Sequence, residues 1–265
     1  MDAVRSFDSA RGFAAGGLAT RIRDGRAALA AGLRDQNLTQ FGFISLLAST
    51  VFVTMMAAGN NVLSFDVSIS RAVQGSDIPG LAGMANFVTV AGGTIATMAI
   101  GTAVLLWLVR AGHYTATVPV IAALALRAGN AVIKTTVDSP RPTSDFVRAL
   151  DNPSGNGFPS AHVMGVVLLY GVIAILANEL IASRLARISV QAASVAMILM
   201  VGPGRIYSGA HWPTDVLGAY LYGVLFLIPM LVAYQALKTM EPISLPVPRP
   251  ASLLRLTSLP VLRKG

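Results

Sequence analysis

Long stretches without a charged side chain are the feature that most limits how this chain can fold. No Asp, Glu, Lys or Arg occurs in residues 36–65 or in residues 78–109. A helix needs about 20 mainly apolar residues to cross a bilayer. Charged residues make up 12% of the 265-residue chain, about half of what is usual in soluble domains. The sequence therefore predicts an all-α, polytopic membrane protein and argues against a soluble enzyme.

Six apolar segments are predicted to form transmembrane helices. They are residues 41–58, 92–109, 114–133, 162–177, 188–201 and 213–234. The fifth is the weakest, because its charge-free run spans only the 17 residues 188–204. A buried helix of a soluble fold is the alternative interpretation there, but the five neighbours favour a membrane span. Residues 41–237 are therefore predicted to form one six-helix transmembrane domain.

The two ends of the chain differ from this apolar domain. Residues 1–40 carry six Arg and four Asp, and Leu and Ile recur at helical spacing opposite the Arg side chains. This pattern fits an amphipathic helix on an anionic membrane surface, and a solvated helix fits it equally well. Residues 238–265 are basic and rich in proline, which predicts a mostly disordered cytoplasmic tail.

The distribution of basic residues orients the predicted helices. With a cytoplasmic N-terminus and six alternating spans, 14 of the 20 Lys and Arg residues fall on the cytoplasmic side, in agreement with the positive-inside rule. Both termini are therefore predicted to be cytoplasmic. The net charge of +8 reflects this topology and does not indicate nucleic acid binding. The 14 residues are Arg5, Arg11, Arg21, Arg23, Arg26, Arg34, Arg110, Arg184, Arg187, Lys238, Arg249, Arg255, Arg263 and Lys264.

Three polar clusters lie at the outer ends of the predicted helices. The first follows the third helix at residues 134–142, with the sequence KTTVDSPRP. The second enters the fourth helix at residues 157–162, with the sequence GFPSAH. The third joins the last two helices at residues 204–215, with the sequence GRIYSGAHWPTD. All three lie at the same membrane edge, so packing of the helices would bring them together.

The cations of these clusters predict an anion site. Lys134, Arg141 and Arg205 have few acidic neighbours in sequence, so at one point they would repel one another unless an anion lay between them. Phosphate suits them, because arginine offers paired donors and lysine a point charge. Ser160 and the backbone N–H of Ala161 lie at a helix start, which also favours an anion. Headgroup anchors are the alternative, but such residues should be scarce on the outer side.

Two of the three histidines lie in the same clusters. Asp215 follows His211 by one helical turn, so its carboxylate can hold one ring nitrogen and leave the other free as a nucleophile. His162 comes from another loop and titrates near neutrality, which suits a general acid. The third histidine, His113, is predicted to lie in a cytoplasmic turn and receives no role.

A metal site is the competing use of histidine and aspartate side chains. A two-metal phosphatase needs several bridging carboxylates, and among the outer aspartates only Asp215 has a histidine close in sequence. The chain has no cysteine, which excludes thiolate ligands and thiolate nucleophiles. We therefore expect no metal and no other cofactor.

The three clusters resemble the signature of the type 2 phosphatidic acid phosphatase superfamily. Its pattern is K-x6-R-P, then P-S-G-H, then S-R-x5-H-x3-D, and the first part fits from Lys134 to Arg141 without change. The second part fits except that Ala161 replaces glycine. The third part keeps both spacings, although Gly204 replaces the serine before Arg205. The resemblance covers roughly residues 60–218.

The resemblance implies a role for each matched residue. His211 would form a phosphohistidine, Asp215 would orient it, and His162 would protonate the leaving group. Alanine at position 161 keeps the backbone amide but restricts the backbone more than glycine does. The missing serine before Arg205 removes one possible hydrogen bond, which would modestly weaken the phosphate cradle. The implied phosphate-binding residues are Lys134, Arg141, Arg205, Ser160 and Ala161.

The resemblance also implies an integral-membrane lipid phosphatase at the outer leaflet of a bacterial inner membrane. Its substrate would be phosphatidate, phosphatidylglycerol phosphate, a polyprenyl diphosphate or a lipid A phosphate, since the motifs contact only the phosphate that these lipids share. A phosphotransferase, in which a second lipid captures the phosphohistidine, is one alternative. A transporter that binds anionic lipids without chemistry is the other.

A polar stripe runs along the third predicted helix. Arg127, Asn130 and Lys134 lie at positions i, i+3 and i+7, which share one helix face. Charged residues inside a membrane usually point into the helix bundle or a wet cavity. We expect this stripe to line a route from the active site to the membrane. The alternative is support of the site, with Arg127 bonded to backbone carbonyls.

Overall fold

The structure is a computed structural model that describes residues 37–59, 62–151 and 153–240. Within these residues the chain forms eight α-helices and no β-strand. The predicted surface helix and tail fall mostly in residues 1–36 and 241–265, outside the described part. The helices are α1 (Asn37–Ala57), α2 (Ser64–Gln74), α3 (Leu81–Ala91), α4 (Thr94–Arg110), α5 (Tyr114–Val137), α6 (Ala161–Leu180), α7 (Arg184–Tyr207) and α8 (Pro213–Thr239).

Five of these helices, α1 and α5 to α8, are long and apolar enough to cross a membrane. Helices α3 and α4 meet the same criterion only together, and they are bent by 59° where they join. Counting that bent pair as one span gives six. The prediction of an all-α, polytopic membrane protein is thus confirmed. The fifth predicted span corresponds to α7, which is longer than expected because it also includes Arg184 and Arg187 at its first turn.

The bent pair was not expected from the sequence, which predicted a single helix over residues 92–109. The chain breaks at Gly92 and Gly93, between α3 and α4. A Cβ atom on Gly92 would lie 2.7 Å from the carbonyl oxygen of Val88 and 3.2 Å from the Val166 side chain of α6. Glycine therefore permits a close approach that a larger residue would obstruct. Helix α3 packs mainly on α7, whereas α4 packs mainly on α5.

Helix α6 is the central helix of the bundle. It packs against α5, α7 and α8, and its side chains Val163, Met164, Val166 and Leu168 are fully buried. A helix that is apolar on all sides is expected to be buried on all sides. Ser160 lies at the N-cap of this buried helix.

Helix α1 lies at the periphery of the bundle. Its Val53 and Ala57 pack against Val137 and Phe158, while most of its other apolar side chains are exposed. Exposed apolar surface on this scale is expected of a helix that faces lipid.

Polar groups collect at the two ends of the bundle. At one end lie α2, the loop 138–160 and the turn between α7 and α8, which contact one another through backbone hydrogen bonds such as Asp151 N–H to Ser208 C=O at 3.0 Å. At the other end the turn 111–113 faces the end of α6 and the last turns of α8. The three sequence clusters therefore meet at one end of the bundle.

Candidate active site

A buried histidine–aspartate pair stands where α8 begins. The carboxylate of Asp215 accepts the backbone N–H of Trp212 at 3.0 Å and lies 3.3 Å from Nδ1 of His211. Asp215 is in the first helical turn, where the helix dipole favours a negative charge. The chain enters the helix through a turn at Gly209, whose φ of +67° favours glycine. With Nδ1–H directed at the carboxylate, Nε2 of His211 keeps its lone pair.

Arg141 fixes the other side of the imidazole. Its Nη1 lies 3.3 Å from Nε2 of His211 and donates to the Ala210 carbonyl at 2.8 Å, while its Nε donates to the Gly155 carbonyl at 2.6 Å. Burial lowers the pKa of His211 well below its ordinary value, and the nearby cations lower it further. His211 is therefore a neutral imidazole at pH 7, which is the form that a nucleophile requires.

Several of the predicted site residues lie close enough to His211 for their charge to affect its pKa. Burial is the largest cause of its lowered pKa. Positive charges on residues from all three sequence clusters lower the pKa further. The structure therefore brings these groups together around one imidazole, as packing of the helix ends predicted. They are Arg141, Lys134, Arg205 and His162.

Lys134 is occupied by the loop that precedes α6. Its Nζ donates to the carbonyl oxygens of Asn156 at 2.6 Å and Gly157 at 2.9 Å. The Asn156 side-chain amide donates back to the Lys134 carbonyl at 2.9 Å. In this structure Lys134 thus holds the loop in place. To contact a phosphate, its ammonium group would have to use its third N–H or give up one of these two hydrogen bonds.

Arg205 has a counter-charge that sequence reasoning missed. Its Nη1 lies 2.8 Å from the Asp151 carboxylate and donates to the Thr89 hydroxyl at 2.9 Å. Few acidic residues lie near Arg205 in sequence, but the loop 138–160 folds Asp151 back onto α7 and supplies a counter-charge. Arg205 is 1% exposed, and its Nε has no hydrogen-bond partner in the described structure.

Ser160 and His162 flank the start of α6. The Ser160 backbone N–H donates to the Asp215 carbonyl at 3.1 Å, while its hydroxyl is buried without a partner among the described residues. His162 lies in the first turn, and a Cβ atom built on Gly93 would be 3.8 Å from its Nε2. The bend between α3 and α4 thus forms one wall beside His162.

The polar stripe of α5 contacts this same loop. Arg127 donates from Nη1 to the Ala161 carbonyl at 2.6 Å and from Nη2 to the Thr94 hydroxyl at 2.8 Å. Asn130 donates to the Pro159 carbonyl at 3.2 Å. These contacts agree with the supporting role that was the alternative for Arg127. A cavity of about 170 Å³ also lies beside this stripe, so a route to the membrane remains compatible with it. The cavity is lined by Thr94, Met98, Leu124, Arg127, Ala128 and Ala161.

Two further residues of α2 hold the site together, and sequence reasoning missed both. The buried carboxylate of Asp66 accepts the backbone N–H of Thr214 at 2.9 Å and its hydroxyl at 2.7 Å. The amide of Gln74 donates to the carbonyls of Arg148 and Tyr207 at 2.8 and 3.0 Å. Asp66 and Gln74 share one helix face with Ser70, at spacings of four residues, and all three are buried. That polar spacing was a signal available in the sequence.

No three His, Asp or Glu side chains of residues 37–59, 62–151 and 153–240 come together in a way that could hold a metal ion. The imidazole of His211 instead faces a carboxylate on one side and a guanidinium on the other. The site thus combines three cations and two histidines with the carboxylates of Asp151 and Asp215.

The helix bundle and this buried site define an integral membrane protein with a cluster of buried polar and charged residues at one end. Residues 115–239 match the model of the PAP2 superfamily. This match confirms the resemblance that was found in the three clusters.

Individual relatives extend this finding. Phosphatidylglycerophosphatase B of Bacillus subtilis (strain 168) is 35% identical to the chain over 97 residues, which are 36% of this chain and 46% of that protein. The chain thus matches less than half of that relative's length. A crystal structure of a transmembrane PAP2 type phosphatidylglycerolphosphate phosphatase from Bacillus subtilis has a TM-score of 0.62 at 22% identity, over 75% of this chain and 98% of that chain. Aquifex aeolicus LpxE has a TM-score of 0.50 at 21% identity, over 64% and 96%.

Proposed function

We propose that this protein is a metal-independent membrane phosphatase that hydrolyses a lipid phosphate or diphosphate through a phosphohistidine on His211. The observation that carries the proposal is a pair of buried donors beside the His211–Asp215 pair. The Ser160 hydroxyl and Arg205 Nε have no hydrogen-bond partner in the described structure, whereas buried polar groups are normally bonded. A phosphate bound beside His211 would supply oxygen acceptors to both.

The first chemical step transfers the phosphoryl group to the enzyme. Nε2 of His211 attacks phosphorus, the bond from phosphorus to the lipid oxygen breaks, and His162 gives its proton to that oxygen. Asp215 stabilises the positive charge that develops on the imidazole. The cations stabilise the negative charge on the non-bridging phosphate oxygens, which is the main requirement of phosphoryl transfer. They are Lys134, Arg141 and Arg205.

The second step returns the enzyme to its starting form. Water attacks the phosphorus of the phosphohistidine, the bond between phosphorus and Nε2 breaks, and neutral His162 takes the proton from water. Inorganic phosphate leaves, and His211 is again a neutral imidazole. The lowered pKa of His211 supports this cycle, because burial and the surrounding cations keep its nucleophilic form populated.

A lipid is the proposed substrate because the site lies beside an apolar cavity. The cavity of about 170 Å³ combines the apolar side chains Met98 and Leu124 with Arg127 and Ala161 at the start of α6. One relative is named a phosphatidylglycerophosphatase, so phosphatidylglycerol phosphate is a leading candidate. Phosphatidate, polyprenyl diphosphate and lipid A phosphates share the group that the site would bind.

A phosphate-release assay tests the proposal. The purified full-length protein should release inorganic phosphate from short-chain phosphatidate in the presence of EDTA, and vanadate should inhibit the release. A parallel screen over the other lipid phosphates identifies the substrate. Binding of these lipids without phosphate release would favour a transporter, and transfer of phosphate to a second lipid would favour a phosphotransferase. Loss of activity with EDTA, restored by a divalent metal, would overturn the metal-independent mechanism.

The proposed topology has both termini in the cytoplasm and the active site on the periplasmic face of a bacterial inner membrane. Because the natural chain has no cysteine, single cysteines can report on each side. Ser144→Cys lies in the exposed loop near the site, and Ala111→Cys lies in the exposed turn at the other end. In cells with a permeable outer membrane, an impermeant maleimide should label only Ser144→Cys. Labelling of Ala111→Cys alone would reverse the topology.

A further inference from the structure

The ion pair between Arg205 and Asp151 stands out among the contacts of the cations. Lys134 and Arg141 donate to backbone carbonyls. Arg205 alone among the three forms an ion pair with a carboxylate in the described residues, at 2.8 Å from Asp151. Its side chain is 1% exposed, whereas that of Asp151 is 36% exposed. A buried cation is thus paired with an anion that can reach solvent.

The backbone around Asp151 is anchored beside the end of α7. The N–H groups of Leu150 and Asp151 both donate to the Ser208 carbonyl, at 2.9 and 3.0 Å. The Ser208 hydroxyl in turn donates to the Arg205 carbonyl at 3.1 Å. These backbone hydrogen bonds place Asp151 beside Arg205. Rotation of the Asp151 side chain alone is therefore enough to break the ion pair.

The Asp151 carboxylate also acts on a second cation of the site. Burial lowers the pKa of Arg141, and the carboxylates of Asp215 and Asp151 oppose that change. Asp151 is thus close enough to the proposed phosphate position to affect two of its three cations. The carboxylate of Asp151 therefore lies in the region where the proposed function places the negatively charged phosphate of the substrate.

We propose that Asp151 is an internal counter-anion that tunes phosphate affinity: its carboxylate holds the place on Arg205 that a phosphate oxygen of the substrate takes. This proposal rests on the proposed phosphatase function. An unpaired buried arginine is costly, so a counter-anion is needed whenever phosphate is absent. Phosphate binding would then exchange one anion for another at Nη1, with the Asp151 side chain turning toward solvent.

The exchange has a kinetic consequence. A phosphate oxygen that binds Nη1 of Arg205 must displace Asp151, so substrate and inorganic phosphate are both held less tightly than Arg205 alone would hold them. Weaker binding of the ground state and of the product favours turnover, because uniform binding energy does not accelerate the chemical step. Asp151 would thereby limit inhibition by the phosphate that the enzyme releases.

The test uses the purified full-length enzyme, with inorganic phosphate and orthovanadate as probes. Asp151→Asn keeps the shape of the side chain and removes its charge. We expect it to lower the inhibition constant of phosphate roughly tenfold and to lower KM in the same direction, without raising kcat. Asp145→Asn is the matched control, because Asp145 lies in the same loop, is exposed and contacts Thr143. It should leave both constants within about twofold.

A second measurement does not depend on turnover. Phosphate should raise the melting temperature of Asp151→Asn more than that of the wild-type protein, because it replaces the missing counter-anion. Asp151→Glu should behave like the wild type. In the Arg205→Gln background, Asp151→Asn should no longer tighten phosphate binding, because the cation that the two anions share is gone.

The failures of the two proposals are distinguishable. If the wild-type protein neither releases phosphate from any lipid nor responds to phosphate, the proposed function itself fails. If the wild-type enzyme is active but Asp151→Asn binds phosphate equally or less tightly, Asp151 only orients Arg205 and the counter-anion proposal is wrong. Failure of Asp151→Asn to fold even when it is purified in phosphate would likewise overturn it.

Discussion

The two ends of the helix bundle each contain a histidine and an ion pair, yet they differ in burial. At the candidate site, His211, Asp215 and Arg205 are at most 2% exposed. At the opposite end, Glu179 accepts from Tyr234, Gln235 and Lys238. There the ion pair with Lys238 has side chains that are 22% and 40% exposed.

Burial changes what the same residue types do. An exposed ion pair is screened by water and contributes little to stability. A buried charge must find partners among the protein's own groups or a ligand, which is why the site end uses so many backbone carbonyls. Substitutions at the site end are therefore expected to affect activity and stability strongly. Substitutions at the opposite end are expected to have little effect on either.

The largest difference between the two ends should appear in the histidines. His211→Ala should lower kcat by roughly a thousandfold or more, because it removes the proposed nucleophile. His113→Ala, at the other end, should leave kcat within about twofold. Phosphate release by the purified variants measures both. Retained turnover in His211→Ala would reject the nucleophile assignment.

Removal of the Asp66 carboxylate should have the next largest effect. Asp66→Ala leaves the buried N–H and hydroxyl of Thr214 unpaired, which should cost about 1–3 kcal/mol of stability. It should also lower kcat more than it changes KM, because the start of α8 carries His211 and Asp215. Asp66→Asn, which can still accept one hydrogen bond, should recover part of kcat. Equal loss in both variants would argue that the charge itself is what matters.

The pH dependence of stability should separate the two histidines next. An unfolded histidine has a pKa near 6.5, and burial lowers the pKa of His211 in the folded protein. The unfolded chain therefore binds more protons just below pH 6.5, and stability should fall as the pH falls from 7. The slope from one group is at most about 1.4 kcal/mol per pH unit. Melting curves should show a smaller slope for His211→Asn, with His113→Asn as the control.

The smallest effect should come from the exposed ion pair. Lys238→Ala should cost at most about 1 kcal/mol of stability and leave phosphate release unchanged. Thermal unfolding and the release assay measure the two quantities. A loss of activity in this variant would mean that the two ends of the bundle are coupled.

The sequence predicted the class of fold well, because membrane spans depend on local composition. Apolar stretches with at most one charged residue predicted α1 and the helices α5 to α8, since a bilayer imposes a similar length and polarity on each. The bend at Gly92 could not be predicted in the same way. It depends on the approach of Val166 from α6, which is a tertiary contact with no local signal.

The same distinction between local signals and tertiary contacts applies to the candidate site. His211 and Asp215 lie one helical turn apart, so their pairing followed from spacing alone. The partner of Arg205 did not, because Asp151 is far from it in sequence and reaches it through an irregular loop. Asp66 could be predicted only in part. Its spacing from Ser70 and Gln74 predicts a shared helix face, but its hydrogen bonds to Thr214 depend on how α2 packs against α8.

The polar stripe of α5 has a mechanical consequence. Three side chains on one helix face bind four carbonyl oxygens of the segment that ends in the first turn of α6. We therefore expect the helix and the loop to move together. Transmembrane helices tilt to match the thickness of the surrounding bilayer, and a tilt of α5 would carry Ser160 and His162 with it. We therefore expect the rate of the proposed reaction to depend on the thickness of the membrane.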